Sequence, residues 1–438
     1  MEELLEWINH LNETTHVDIK TSEMSDDSFW FLDTRTGYIK NRNNSFFSIA
    51  GIKGNVNNKE IQQPIIIQNE IGYLGIICKE FEGVTKYLMQ AKIEPGNINC
   101  VQISPTIQAT KSNFTQKHGG KKPDYLDFFI NANEYQIIAD QIQSEQSSRF
   151  YKKRNRNMII KVTGDVEVLP RFRWMTLCEI KEIMKYRNLV NMDTRTVLSC
   201  LPLVDVNASD IDCQFNYLSE EFKKSIHSIE YIDEITSIYH KINNYKMFNY
   251  NEAKIVSLYE LDNWNVSNLG VSCKSDFPYE VNIYDIEIEG REVTKWQQPL
   301  FKANGIALFG LIRTIINGEY KYLVKLSPEI GNFDAMEIGP TIQKEYGETY
   351  QEDAIEVLFK DRIDRNISVS FDSILSEEGG RFYHEENRNI ILDVEYEDLK
   401  ELPLEYSLLS YRALNHLNLV NNCLNIQLRN LLSTMEVC

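Results

Sequence analysis

Gln62-Gln63-Pro64, Lys86-Tyr87-Leu88 and Pro105-Thr106-Ile107-Gln108 return later in the chain as Gln297-Gln298-Pro299, Lys321-Tyr322-Leu323 and Pro340-Thr341-Ile342-Gln343. The separation is constant, 340 − 105 = 235. Residues 46–108 lie on 281–343 at this offset without a gap, and 19 of the 63 positions are identical. Average composition gives about one match in sixteen, so the chain repeats itself. A second block follows at 376 − 144 = 232, where Ser144-Glu145-Gln146-Ser147-Ser148-Arg149-Phe150-Tyr151 answers Ser376-Glu377-Glu378-Gly379-Gly380-Arg381-Phe382-Tyr383. Asn155-Arg156-Asn157 then answers Asn387-Arg388-Asn389, and Asn188-Leu189-Val190-Asn191 answers Asn418-Leu419-Val420-Asn421. The chain reads as one unit used twice, over 1–215 and 216–438.

Each unit reads as α+β. Ile65-Ile66-Ile67, Tyr73–Ile77, Lys86–Ala91 and Asn157–Val162 are β-rich runs broken by turn signals such as Glu82-Gly83 and Pro95-Gly96-Asn97. Leu177, Ile180, Ile183 and Met184 fall at helical spacing and predict a helix over Trp174–Leu189, and Ser219–Met247 predicts a helical connector packed between the units. The expected architecture is a mixed or antiparallel sheet in each unit, with helices closing one end.

The chain has 438 residues, beyond what one core organises, and its 42% hydrophobic and 25% charged residues are those of a globular protein. A net charge of −18 opposes binding to nucleic acid or to an anionic membrane surface. The acidic start Met1-Glu2-Glu3 and the absence of a long apolar run point to a cytoplasmic protein outside the membrane. The eight cysteines show no metal-binding spacing, so reduced thiols are expected and no metal site.

With only one sequence, the repeat is its own control, because shared positions serve the common fold and unshared ones suggest a separate task. After the shared Arg-Phe-Tyr, the first copy has Lys152-Lys153-Arg154 and the second His384-Glu385-Glu386. Guanidinium and ammonium groups suit a diphosphate, so the first copy is the expected ligand holder and the second a degenerate site. A solvated charged face is the competing reading of this run. Phe172-Arg173-Trp174 belongs to the first copy alone, and Trp174 could stack on a base or sit in the core. Dinucleotide-binding, Walker and nucleophile-elbow motifs are missing, which disfavours nicotinamide, ATP and acyl-serine chemistry. Candidates for proton transfer in the first copy are Glu94, Glu145, Asp193 and His118, the last a loop histidine that could equally be a surface residue. Glu94 and Glu145 recur as Glu329 and Glu377, whereas Asp193 has no clear counterpart and could equally be a helix cap.

Several longer strings carry a resemblance. They are Glu94-Pro95-Gly96-Asn97, Val101 to Thr110, Gln143-Ser144-Glu145-Gln146 running into Arg149-Phe150, Lys153 to Asn157, Phe172-Arg173-Trp174 and Asn191 to Pro202. Gly290-Arg291-Glu292-Val293 and Trp296-Gln297-Gln298-Pro299 add to them from the second copy. In these the sequence resembles the nucleotide-diphosphate-hexose 2,3-dehydratases of deoxysugar biosynthesis over nearly its whole length. The resemblance implies a tandem duplication of a Nudix-like mixed-sheet unit with flanking helices, assembled as a homodimer and acting on a dTDP-linked 4-keto-6-deoxyhexose. Neither copy has the Nudix box, which disfavours a hydrolase.

The implied reaction uses no cofactor. A base removes the C3 proton made acidic by the C4 ketone, donors stabilise the enolate, and an acid assists departure of the C2 hydroxyl. The resulting enol or 3,4-diketone would pass to a 3-ketoreductase. Within the matched strings, Lys152, Lys153, Arg154 and Arg156 are expected to hold the diphosphate. Arg149 or Tyr151 would stabilise the enolate, and Glu145, Asp193 or His118 would be the base. Asn155, Asn157, Trp174, Thr106 and Gln108 are further expected substrate contacts. The second copy could bind a nucleotide sugar without turning it over. The alternatives are a tandem nucleotide-sugar-binding protein without catalysis and a related ketosugar isomerase.

Overall fold

The structure, a computed structural model, describes residues 1–114, 122–203, 218–291, 293–350, 353–399 and 401–436. Two seven-stranded mixed sheets dominate it. The first orders Gln136–Ser144, Arg154–Lys161, Gly72–Phe81, Val84–Ile93 and Phe172–Thr176, with Val101–Ser104 on Val84–Ile93 and Ile107–Ala109 on Gly72–Phe81. The second orders Val369–Ser376, Glu386–Asp393, Ala307–Ile316, Glu319–Ser327 and Tyr406–Ser410, with Glu337–Gly339 and Ile342–Lys344 placed in the same way. Arg154–Lys161 and Glu386–Asp393 each run parallel to one neighbour, so both sheets are mixed at the same place.

The Pro-Thr-Ile-Gln string has a mechanical reason to recur. Thr106 accepts the Ile77 N–H at 2.9 Å and donates to the Leu88 carbonyl, tying a short crossing strand to both strands of a hairpin. Thr341 does the same between Ile312, at 2.8 Å, and Leu323. Thr106 is 1% exposed, with its hydroxyl engaged by both strands, and it does not line the cavity that the expected Gln108 lines.

Two smaller sheets interlock the copies. Glu252–Val256, from the second copy, pairs antiparallel with Ser48–Val56 of the first. Val17–Ser22, near the N-terminus, pairs antiparallel with Tyr279–Ile288 of the second. Each copy therefore lends its leading strand to the other, across the sequence division at 215/216. The largest core mixes them too: Ile76, Met89 and Ile159 pack in one cluster with Tyr284, Ile286 and Leu300.

Strand register corrects the gapless repeat at both ends. Gly51 faces Pro64 and Ile283 faces Pro299, separations of 64 − 51 = 13 and 299 − 283 = 16. The first hairpin turns tightly at Asn57 and Asn58, both at positive φ, as a two-residue turn requires. The second has three more residues around 289–294, so 46–58 answer the second copy at 232, and all nineteen identities fall at or beyond Gln62. Near the C-terminus, Asn191 and Asn425 cap the equivalent helices Met192–Leu198 and Ile426–Ser433, an offset of 425 − 191 = 234. Residues 188–191 thus match 422–425, and the four-residue likeness to 418–421 is accidental.

Trp174 lies in the strand Phe172–Thr176, and the predicted helix begins at Leu177 because Thr176 and Glu179 form a capping box. The connector is two helices, Glu220–Ile226 and Tyr231–Phe248. Cys78, Cys100, Cys200, Cys273 and Cys423 are free thiols, whereas Cys178 is disulfide-bonded, against the expectation of reduced cysteines. No described helix is long and apolar enough to cross a membrane.

Candidate active site

A cavity of about 630 Å³ opens beside the strands Gly72–Phe81 and Val84–Ile93 of the first copy. Lys92, Glu94, Gln108, Glu145, Lys153, Asn155 and Asp193 line it from that copy. Arg291, Lys295, Trp296, Glu378 and Arg381 line it from the second. A cavity of this size suits a nucleotide sugar.

An exchange of turns brings the second copy in. The Gly96 N–H donates to the Gly379 carbonyl at 2.7 Å, and the His384 N–H donates to the Gly96 carbonyl at 2.8 Å. A Cβ on Gly96 would lie 1.5 Å from the Phe382 carbonyl oxygen, so only glycine allows this contact. The mirror contact joins Gly331 to Ser147 at 3.0 Å and Lys152 at 2.8 Å. Each Ser-Glu to Phe-Tyr turn is therefore seated in the opposite copy.

Four carboxyl groups and several cations meet in the cavity. Gln108 Nε2 reaches Glu94 at 3.2 Å and Glu378 at 3.4 Å, while Asn191 Nδ2 donates to Gln108 Oε1 at 3.3 Å. Lys92 Nζ lies 3.2 Å from Glu94. Lys153 donates to Asn155 Oδ1 at 2.9 Å and to the Glu70 carbonyl at 2.6 Å, and Asn155 Nδ2 donates to Glu145. Asp193 is 1% exposed, and both its carboxyl oxygens are buried without a hydrogen-bond partner. It does not cap its helix; Asn191 does, accepting the Thr194 N–H at 2.8 Å.

These surroundings separate the protonation states. Burial, and then the nearby Glu145, Glu378 and Glu94, hold the Asp193 carboxyl well above the ordinary range and favour its protonated form. Burial would raise Glu94 as well, but Lys92, Arg291 and Arg381 together hold it below the usual range. Glu145 is raised by burial, opposed by Lys153, Arg429 and Arg381. Burial pushes Glu378 up to about 8 against Arg381, and lowers Lys153 to about 8 against the pull of Glu145. A proton-holding acid beside carboxylates that can accept one is the arrangement required for acid–base chemistry at neutral pH.

Of the residues expected from sequence, Glu145, Asp193, Lys153, Asn155 and Gln108 line this cavity. The basic run does not stay together, because a strand points alternate side chains to opposite faces. Lys153 and Asn155 face the cavity, while Arg156 makes a bidentate pair with Asp140 at 2.7 and 2.6 Å, and Arg154 lies 3.8 Å over the Phe333 ring. Lys152 and Tyr151 line a separate cavity of about 340 Å³ with Glu329 and Phe333. Asn157 is buried and donates to the Asn155 carbonyl at 3.3 Å. Trp174 packs edge-on against Phe81, 5.2 Å away, beside a core cluster. Arg149 is bound by Glu345 at 3.1 and 2.8 Å, with Glu385 at 3.6 Å. His118 lies outside the described residues.

Sequence reasoning did not place Lys92, Arg291, Lys295, Trp296, Glu378 and Arg381 in a site. The signal available for Arg291 and Lys295 was the three-residue lengthening of their hairpin, which the gapless offset concealed. Lys92 answers Ser327, since Gln102 and Glu337 face them at the same offset, and this asymmetry was legible.

The described residues thus form a duplicated α+β chain with a cavity of carboxyl groups and cations lined by both copies. A profile described as NDP-hexose 2,3-dehydratase matches residues 1–201 and again 235–435, and the chain belongs to that family. It is similar to a dTDP-4-dehydro-6-deoxy-alpha-D-glucopyranose 2,3-dehydratase of Saccharopolyspora spinosa, 34% identical over 93% of this chain and 86% of the relative. A relative of the same name from Streptomyces violaceoruber is 34% identical over 95% of this chain and 93% of its own length. A third, from Amycolatopsis orientalis, is 29% identical over 99% and 90%.

Proposed function

We infer that the chain is a carbon–oxygen lyase that removes water across C2 and C3 of a dTDP-linked 4-keto-6-deoxyglucose. The observation that carries this reading is Asp193, a buried carboxyl group with no hydrogen-bond partner whose ionisation its surroundings oppose, in one cavity with Glu94 and Glu145. Dehydration needs an acid for the departing hydroxyl and a base for the C3 proton, held apart in protonation state. Asp193 is the acid and Glu145 the base. Asp193 suits the acid better than the base because burial and three neighbouring carboxyl groups oppose its ionisation, whereas three cations oppose the upward shift of Glu145. Lys153 lies beside Glu145 and favours its ionised form.

At the rim, Arg291 lies 5.7 Å over the Trp296 ring, and Lys295 is exposed beside them. These cations take the diphosphate, and Trp296 the face of the base. Of the cations in 152–156 only Lys153 lines this cavity, so the diphosphate role moves to the hairpin of the second copy. Each large sheet with its helices is, on the family resemblance, a Nudix-like unit, and the chain assembles as a homodimer. The product is an enol that becomes a 3,4-diketone, which calls for a reductase acting at C3 as the next step.

Incubation with dTDP-4-keto-6-deoxyglucose tests the reading. Mass spectrometry of the sugar nucleotide is expected to show loss of one water. Binding of the compound with no change in mass would make the protein a nucleotide-sugar binder.

A further inference from the structure

Arg149 and Arg381 are the same position of the repeat, 381 − 149 = 232, and the exchanged turns seat each of them in the other copy. Their surroundings differ. Around Arg149, Glu345 engages both terminal guanidinium nitrogens, and Glu385 adds a second carboxylate 3.6 Å from one of them. On the Arg381 side the corresponding residues are Thr110, 345 − 235 = 110, and Lys153, 385 − 232 = 153. The two carboxylates that neutralise Arg149 have thus become a hydroxyl and an ammonium group.

Arg381 reaches Gln68 Oε1 at 3.0 Å and Glu378 Oε1 at 3.4 Å, and it lies 4.5 Å over the Phe46 ring. Its Nε, like that of Arg149, is buried with no hydrogen-bond partner, but Arg381 lines the large cavity and Arg149 does not. The Glu345 and Glu385 carboxylates flank the Arg149 guanidinium, whereas Arg381 has, among the described residues, Glu378 alone within ion-pair distance and faces the cavity, where an anionic oxygen can reach it.

Resting on the dehydration reading above, we propose that Arg381, delivered by the second copy, takes the negative charge that arises on the C4 oxygen of the sugar. The C3–H bond breaks and its proton goes to Glu145. The bonding pair forms a C3–C4 double bond, and the carbonyl pair moves onto O4. When the carbonyl re-forms, the pair makes C2=C3 and the C2–O bond breaks. The departing hydroxyl takes the Asp193 proton and leaves as water. A guanidinium fixed against an aromatic wall meets the new charge without reorganising. The doubly charged diphosphate is poorly placed here, beside Glu94 and Glu145, and the more exposed Arg291 and Lys295 suit it better. The second copy is then a working part of the first copy's site, which its acidic 384–386 stretch conceals.

The test compares Arg381→Gln and Arg381→Lys with the wild type, using the 4-ketosugar nucleotide deuterated at C3 and, separately, dTDP alone. Arg381→Gln is expected to lose about 10²–10³-fold in kcat and in deuterium wash-out, with dTDP affinity within about twofold of wild type. Arg381→Lys should recover part of the lost rate. Retained dTDP affinity also reports an intact fold. Thr110→Glu, which rebuilds the clamp found over Arg149, neutralises Arg381 without removing it and should suppress wash-out as well. Unchanged kcat in Arg381→Gln, or loss of dTDP affinity at unchanged kcat, overturns the proposal, the latter by making Arg381 a diphosphate contact. Normal wash-out in Thr110→Glu also overturns it. A wild-type protein that leaves the sugar intact overturns the dehydration reading instead, so the two failures are distinguishable.

Discussion

Asp193 sets the chemistry at the scale of a residue. Its folded-state proton affinity exceeds that of the unfolded chain, because burial and three neighbouring carboxyl groups oppose its ionisation. Its contribution to stability is therefore complete below the unfolded value near about pH 4, and is lost as pH rises through the folded value. Asp193→Asn removes that loss. We expect the variant to melt higher than wild type at alkaline pH, while kcat falls by about 10²–10⁴-fold. Melting curves against pH check this, and a variant that melts lower at alkaline pH contradicts the assignment. Trp296 belongs to the same scale. Its Nε1 donates to Gln298 at 3.0 Å, which fixes the ring at the rim. Trp296→Ala should weaken dTDP binding by about 1–3 kcal/mol, measured calorimetrically, with little effect on the C3 chemistry.

At the scale of an element, the turn Ser376–Tyr383 decides whether the site is complete. It is gripped by Gly96, where a methyl group would strike the Phe382 carbonyl oxygen. Gly96→Ala should therefore displace Glu378 and Arg381, reduce activity at least about tenfold, and destabilise the protein by about 1–3 kcal/mol. Denaturant unfolding alongside kinetics checks both expectations, and wild-type turnover would show that the turn need not dock tightly. Gly96 and Gly331 were visible in the sequence as paired glycines, and the strands and the duplication were legible as well. What periodicity could not reveal is which copy a turn enters, because exchange of equivalent turns leaves the pattern of each copy unchanged. Arg149 illustrates the point: its residue type suited an anion, but the anion it meets is Glu345 of its own chain. The run 152–156 failed for a different reason. Charge in sequence was read as charge in space, although a strand divides alternate residues between its faces.

Over the whole molecule, the copies cannot be separated without removing a strand from each other's sheet, since Val17–Ser22 and Glu252–Val256 are exchanged. Separately produced halves divided at 215/216 should be poorly structured, and mixing or co-expressing them should restore folding, as judged by circular dichroism. Two independently stable halves would contradict the exchange. The duplication has left one position holding Lys92, Lys153 and Asp193, and a second where Ser327, Glu385 and Gln427 stand in their places. The first is open to a ligand. At the second, Glu345 pairs with the buried Arg149 from within the chain.

The central claim is that this one composite cavity performs proton removal and hydroxyl loss with different carboxyl groups. The most direct test follows C3-deuterated dTDP-4-keto-6-deoxyglucose with wild type and with Asp193→Asn. Wild type should lose both the deuterium and the C2 hydroxyl, whereas Asp193→Asn should still wash out deuterium but keep the hydroxyl. Hydroxyl loss with the label retained in wild type, or equally fast elimination by the variant, would contradict the account.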